Sequence, residues 1–277
     1  MMRQLERALE PPLTTLHGGF MTFPLRMPLA TLALLLTSLS AAANGVATSS
    51  ISNVRFDVLD LTPADGNPAG YDILSTHSSL FASAYTSTAE YYAAGYPTPA
   101  IPAALRLGLG GSVAEARTSG ALADVFAGAI GDASLGGYGA VGGTSNQAVH
   151  FMLRPHTVLT IGGHLSTLAE RWGTPAEYYD VVGMAHVGII DGDGYTFTQF
   201  TRQSLAFADW PDRMMVEDDF MLAFANGSGE YRPVSVYFQA LSNVTRMAAP
   251  VPEPAAGWLL CAGLLALAAR RVVRRAR

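Results

Sequence analysis

Residues able to do chemistry are few in this 277-residue chain, and their spacing argues against most of the chemistries they suggest. Asp191-Gly192-Asp193-Gly194 sets two carboxylates two positions apart on a glycine-bent loop, the opening of a calcium geometry. An EF-hand loop needs a ligand at its fifth position and a glutamate at its last; Tyr195 and Arg202 stand there, which excludes that loop type. Asp191 and Asp193 remain a β-turn pair that would bind calcium weakly and only with help from another loop. Glu217-Asp218-Asp219 reads as a solvated turn. His150, His156 and His164 share sequence parity, yet Pro155 and Gly162-Gly163 interrupt the strand that would align them, so no zinc site is expected. Gly137-Tyr138-Gly139-Ala140-Val141-Gly142 matches a dinucleotide fingerprint, but turn-like residues follow it where a helix must start. Ser228, in Gly227-Ser228-Gly229, lacks the outer glycine spacing of a nucleophile elbow. No cofactor and no catalytic residue is assigned. A secreted hydrolase, its carboxylates drawn from separate strands, ranks third among the functions considered.

Aromatic residues offer another chemistry. Tyr91, Tyr92 and Tyr96 cluster at a proline-rich loop, and Trp172 lies near Tyr178-Tyr179. Exposed rings can stack on sugars, which present an apolar face and a polar edge. Tyr91, Tyr92 and Trp172 are therefore candidate sugar contacts, and a polysaccharide-binding module ranks second. Charge narrows the partners further: seventeen Arg stand against 22 Asp and Glu, for a net charge of −5, without the basic face of a nucleic-acid binder. The single cysteine, Cys261, lies in an apolar run, so the body of the chain has no disulfide, thiolate metal site or cysteine nucleophile.

Apolar residues concentrate at two places that must position everything between them. Leu29 to Leu39 is a short apolar core, preceded by Arg26 and followed by Ala41-Ala42-Ala43, which describes a secretory signal peptide cleaved after Ala43. That core falls well short of the roughly 20 residues a spanning helix needs. Glu6, Glu10 and two prolines precede it, so translation is expected to begin at Met21 or Met27, leaving 1–20 as a leader extension or a mis-assigned start. The second concentration, Ala255 to Ala269, includes Trp258 and is followed by Arg270, Arg271, Arg274, Arg275 and Arg277. As a helix those fifteen residues reach about 22 Å, and Val272, Val273 and snorkelling arginines extend it toward a thin single-pass span. Arginine-rich flanks stay cytoplasmic, so residues before Pro254 lie outside.

Just ahead of this helix stands Val251-Pro252-Glu253-Pro254. Each proline fixes φ and lacks a donor, and Pro254 pushes Glu253 out of the α region, so the segment is extended and exposed. Pro-Glu-Pro, a short apolar helix and an arginine cluster, in that order, resemble the PEP-CTERM sorting signal of exosortase substrates in Gram-negative bacteria. The resemblance covers Val251 to Arg277. It implies that a membrane-embedded exosortase recognises Pro252-Glu253-Pro254, cuts nearby and passes the upstream domain to the cell surface or extracellular matrix. The helix and arginines would act as a temporary stop in the inner membrane, after the secretion machinery and signal peptidase have acted. The family's passengers are often tied to exopolysaccharide and biofilm, so a structural or adhesive role ranks first, without catalysis.

The domain organisation that follows is 1–20 extension, 21–43 signal peptide, 44–250 passenger and 251–277 sorting signal. The passenger holds nine Arg against nineteen Asp and Glu, hence −10, which suits solubility and disfavours anionic partners. Several stretches alternate apolar and polar residues between turn signals. In Val234–Ser242, for instance, Val234, Val236, Phe238 and Ala240 face one way and Ser235, Tyr237 and Gln239 the other. Spaced strands with Gly-rich turns predict an all-β fold, a single antiparallel β-sandwich of jelly-roll type. Ala103 to Gly143, rich in Ala and Gly, stays unassigned between helix, a loosened strand pair and an insertion.

Overall fold

The computed structural model describes residues 43–98, 101–172, 178–192, 194, 196–207 and 210–247. These form twelve strands: β1 (Ala43–Asp60), β2 (Tyr71–Thr86), β3 (Glu90–Gly95), β4 (Ala103–Leu109), β5 (Ser112–Thr118), β6 (Val125–Asp132), β7 (Gly139–Leu153), β8 (Thr157–Arg171), β9 (Tyr178–Asp191), β10 (Thr196–Ala206), β11 (Arg213–Asn226) and β12 (Arg232–Met247). The described residues include no α-helix; a 3-10 turn at Ala133–Leu135 joins β6 to β7. The first sheet has the order β11-β8-β1-β6-β5-β4 and the second β10-β9-β12-β7-β2-β3, and every recorded pair is antiparallel. Pairings β7–β12, β8–β11 and β9–β10 are nested, so the last six strands wind back on themselves as one long folded hairpin.

Alternation makes these strands. β7 buries every second residue along most of its length, and β12 does so from Val234 to Val244, so each presents one apolar and one polar face. The inner faces of the two sheets meet. Phe56 of the first sheet stacks against Phe151 and Phe238 of the second, with ring centroids 5.2 and 6.2 Å away.

Two apolar clusters fill the space between the sheets. One is built from large side chains, among them Phe151, Phe224, Phe238, Ile161 and Leu165. The other is lined mainly by alanine, with Tyr179 and Leu135 as its bulk. Both sheets carry a row of small residues between these clusters. In the second sheet the register aligns Ala82, Gly143, Ser242, Gly183 and Ser204; in the first it aligns Ala116, Ala127, Ser49 and Thr167. The sheets come so close here that hydroxyls reach backbone carbonyls across the gap. Ser49 Oγ donates to the Leu241 carbonyl at 2.8 Å, Ser242 Oγ to Ala127 at 3.0 Å, Ser204 Oγ to Thr167 at 3.0 Å and Ser145 Oγ to Arg117 at 3.0 Å. Each buried hydroxyl is thereby satisfied, and each bond ties one sheet to the other.

This waist explains the segment Ala103 to Gly143. It forms β4, β5, β6 and the start of β7; its Ala114 and Ala129 line the alanine-rich half of the core beside Leu135 and Val141, and a Cβ on Gly131 or Gly143 would run into Val244 or the Glu115 backbone. Residues 121–124 are a turn, and Val125 onward is strand rather than helix. Glu217-Asp218-Asp219 differs from the solvated turn expected: it lies within β11, paired with Ser166, Leu165 and His164 of β8.

Candidate functional site

The outward residues of the second sheet form a polar row across five strands. The register places Ser79 of β2 opposite Asn146 of β7, Asn146 opposite Gln239 of β12, Gln239 opposite His186 of β9, and His186 opposite Thr201 of β10. Hydrogen bonds run along much of the row. Asn146 Nδ2 donates to Ser79 Oγ at 3.3 Å, Gln239 Nε2 donates to Asn146 Oδ1 at 2.9 Å, and His186 Nδ1 lies 2.6 Å from Thr201 Oγ1. His186 Nε2 turns to the next row and meets the Tyr237 hydroxyl at 2.8 Å. Burial pulls the imidazole below its ordinary pKa of 6.5, so it is neutral near pH 7, one nitrogen donating and the other accepting.

Tyr237 lies over Gly188, its cross-strand partner, and against the His186 ring, with centroids 5.0 Å apart. A Cβ on Gly188 would sit 2.5 Å from the Tyr237 hydroxyl, so only glycine lets the ring settle there. One row further, His150 Nδ1 is 2.7 Å from Ser235 Oγ, and the His77 and His150 rings meet edge to face at 5.5 Å. Above β2, β7 and β12 this face holds a pocket of about 600 Å³, walled on one side by Tyr96, Pro97 and Thr98. Its lining includes His77, Ser79, Asn146, Tyr237 and Gln239, with no Asp, Glu or Arg among the described lining residues.

The sequence-predicted sugar contacts are not gathered at one place. Tyr91 and Tyr92 are successive residues of the edge strand β3 and so point to opposite faces. Tyr92, 72% exposed and opposite Ser83, shares the outer face of the second sheet; Tyr91 is opposite the inward-facing Ala84. Trp172, 39% exposed, follows β8 of the other sheet. Asp191 ends β9 and lies 3.7 Å from the Arg232 guanidinium, whereas Asp193 falls outside the described residues. The three histidines first considered together are separated: His150 is on the second sheet, His164 on the first, and His156 in the turn between β7 and β8 with φ of 53°. Among the described residues no three His, Cys, Asp or Glu side chains gather as a metal site.

Sequence reading missed one alignment on the first sheet. Ser52, His164 and Asp219 are cross-strand neighbours, and His164 Nδ1 lies 2.9 Å from Asp219 Oδ1. The order imitates a hydrolytic triad, but Asp219 is 88% exposed on an open sheet face, where water competes for the bond that has to orient the imidazole.

β12 closes the described fold at Met247, and three residues later the chain enters a segment with a recognisable pattern. Residues 250–275 match the family model of the PEP-CTERM protein-sorting motif. The chain carries a PEP-CTERM sorting motif. The match coincides with the Pro-Glu-Pro, apolar and arginine-rich succession, and it supports an exported, membrane-transiting protein that exosortase sorts. Comparison with curated proteins gives no match. The motif residues Val251, Pro252, Glu253 and Pro254, together with Trp258, Arg270, Arg271, Arg274, Arg275 and Arg277, lie outside the described residues, as do the expected C-terminal transmembrane helix and positions 21–42 of the expected signal peptide; Ala43, the last residue of that expected peptide, begins β1.

Proposed function

We propose that this PEP-CTERM protein is a non-catalytic passenger delivered to the surface or extracellular matrix of a Gram-negative cell, with a structural or adhesive role in exopolysaccharide. Signal peptidase removes residues up to Ala43, the C-terminal helix pauses the chain in the inner membrane, and exosortase cuts beside Pro252-Glu253-Pro254. The observation that carries this reading is the sorting-motif match at residues 250–275, beginning only after β12 has ended at Met247. A cut there severs none of the twelve described strands, so the released passenger keeps both sheets. The nested pairing and shared core support a jelly-roll-like sandwich for the passenger. Recognition of polysaccharide is the second reading, favoured by the pocket on the second sheet, whose described lining residues include no Asp, Glu or Arg.

The test is expression of the full chain in an exosortase-bearing Gram-negative host, followed by mass spectrometry of the mature species. The expected product lacks the apolar helix and arginine tail and is found outside the inner membrane. The variant Pro252→Ala/Glu253→Ala is expected to stay in the inner membrane at full length. Retention of the C-terminal tail on the exported wild-type protein would end the proposal.

A further inference from the structure

We infer that the pocket on the outer face of the second sheet binds a neutral, hydroxyl-rich glycan along the row Ser79–Asn146–Gln239, with Tyr237 and Tyr96 as its aromatic contacts. The inference rests on the adhesive role proposed above but is independent of the sorting route. Charge selects the class of ligand first. The span 44–250 carries −10, yet among the described residues no Asp, Glu or Arg lines this pocket. Among those described residues a cation would find no carboxylate, and an anion would find none of the guanidinium forks that recognise phosphate or carboxylate. A neutral molecule is what remains.

Hydrogen-bonding capacity points the same way. The bonds along the row use one proton of the Gln239 amide and one of the Asn146 amide. The second proton of each, the Gln239 carbonyl oxygen and the Ser79 hydroxyl proton can all face a ligand. The line thus offers three donors, on Ser79, Asn146 and Gln239, and one acceptor, the Gln239 carbonyl oxygen, and hydroxyl groups can meet both kinds because each donates and accepts. The row has one residue per strand, so its groups recur at the strand spacing of about 4.8 Å, close to the length of one sugar ring in an extended chain. Side-chain bonds within the row hold the amides in place before a ligand arrives, which lowers the ordering cost of binding.

The aromatic contacts supply the apolar half. Tyr237 is fixed over Gly188 and against His186, and it lines the pocket. Tyr96 is 83% exposed at the rim, and a tyrosine so placed contributes little to the core. At about 600 Å³ the pocket is within the range of small-molecule sites and has room for a short oligosaccharide.

The experiment uses the full chain, purified in a zwitterionic detergent because a glycoside detergent would compete. The probes are an array of neutral hexose oligosaccharides and an array of polyuronates, with titration calorimetry on the neutral oligosaccharide that binds. Binding to neutral oligosaccharides and not to polyuronates is expected. Gln239→Ala and Tyr96→Ala are each expected to weaken that binding by about tenfold, the consequence of losing one good contact. Tyr96→Ala changes an exposed loop and guards against a variant that fails to fold; an unchanged circular dichroism spectrum checks both variants. Trp172→Ala is expected to bind as wild type. The inference is overturned by failure of every neutral probe at millimolar concentration, by equal binding of polyuronates, or by wild-type affinity in both Gln239→Ala and Tyr96→Ala. Loss with Trp172→Ala alone also overturns it. A protein that is cut and exported normally yet binds no glycan removes this inference and leaves the sorting proposal standing; binding by a chain that is never cut does the reverse.

Discussion

Gly183 is the place where the waist of the fold can be tested with one methyl group. A Cβ built on it lies 2.7 Å from the carbonyl oxygens of both Thr48 and Leu168, which are backbone atoms of the facing sheet. Ordinary C···O contacts begin near about 3.3 Å, so Gly183→Ala has to open the gap by roughly 0.6 Å at two points at once. Overpacking of this kind costs about 1–3 kcal/mol. The adjacent Ser204 is joined to Thr167 by two short contacts, hydroxyl to hydroxyl at 2.7 Å and hydroxyl to carbonyl at 3.0 Å. Stretching these adds about 1 kcal/mol for each bond weakened. Replacing a mid-strand glycine returns about 0.5–1 kcal/mol through backbone entropy. The net loss is about 2–4 kcal/mol, and with a urea dependence of about 2 kcal/mol per molar the unfolding midpoint falls by about 1–2 M. Urea unfolding of the full chain in detergent, followed by circular dichroism, measures this. Gly95→Ala is the control, because a Cβ there meets nothing within 4 Å. A Gly183→Ala midpoint indistinguishable from that of the control would refute a close approach between the sheets.

Three further outcomes are expected. Ser242→Ala removes an inter-sheet donor without adding volume and is expected to lower stability by about 1–2 kcal/mol, read as a lower Tm. Gly188→Ala displaces the outer end of the Tyr237 side chain rather than backbone; stability is expected to fall by no more than about 1 kcal/mol, while neutral-glycan affinity in calorimetry drops as in Gln239→Ala. For His186 the folded-state pKa is depressed, so the unfolded chain binds more protons in that range. Its contribution is complete above pH 6.5 and is lost as pH falls through 6.5 toward the folded-state value. Denaturation curves measured across that window are expected to show the slope, and His186→Gln is expected to flatten it.

What the sequence carried by itself was local or ordered along the chain. Alternation in Val234–Ser242 predicted both the strand and its buried face, because a period of two needs no knowledge of neighbours. The sorting motif was legible because its parts act in linear order, and residues 250–275 match it. Ala103–Gly143 could not be assigned, since alanine favours helix and glycine weakens helix and strand alike, and it is pairing with neighbouring strands and packing between the two sheets that make this segment β. Placement of Glu217-Asp218-Asp219 in a strand likewise depended on β8 lying alongside. The candidate site shows the same division most sharply. Ser79, Asn146, Gln239 and His186 are far apart in sequence and unremarkable one by one, and only cross-strand register brings them into a single row. Tyr91, Tyr92 and Trp172 stood out as residue types, but successive strand positions face opposite ways and Trp172 follows a strand of the other sheet. Strand pairing is a long-range choice made by the packing of whole faces, so the sorting motif was readable from residues in order, whereas the polar row and the pocket above it were decided by the tertiary fold.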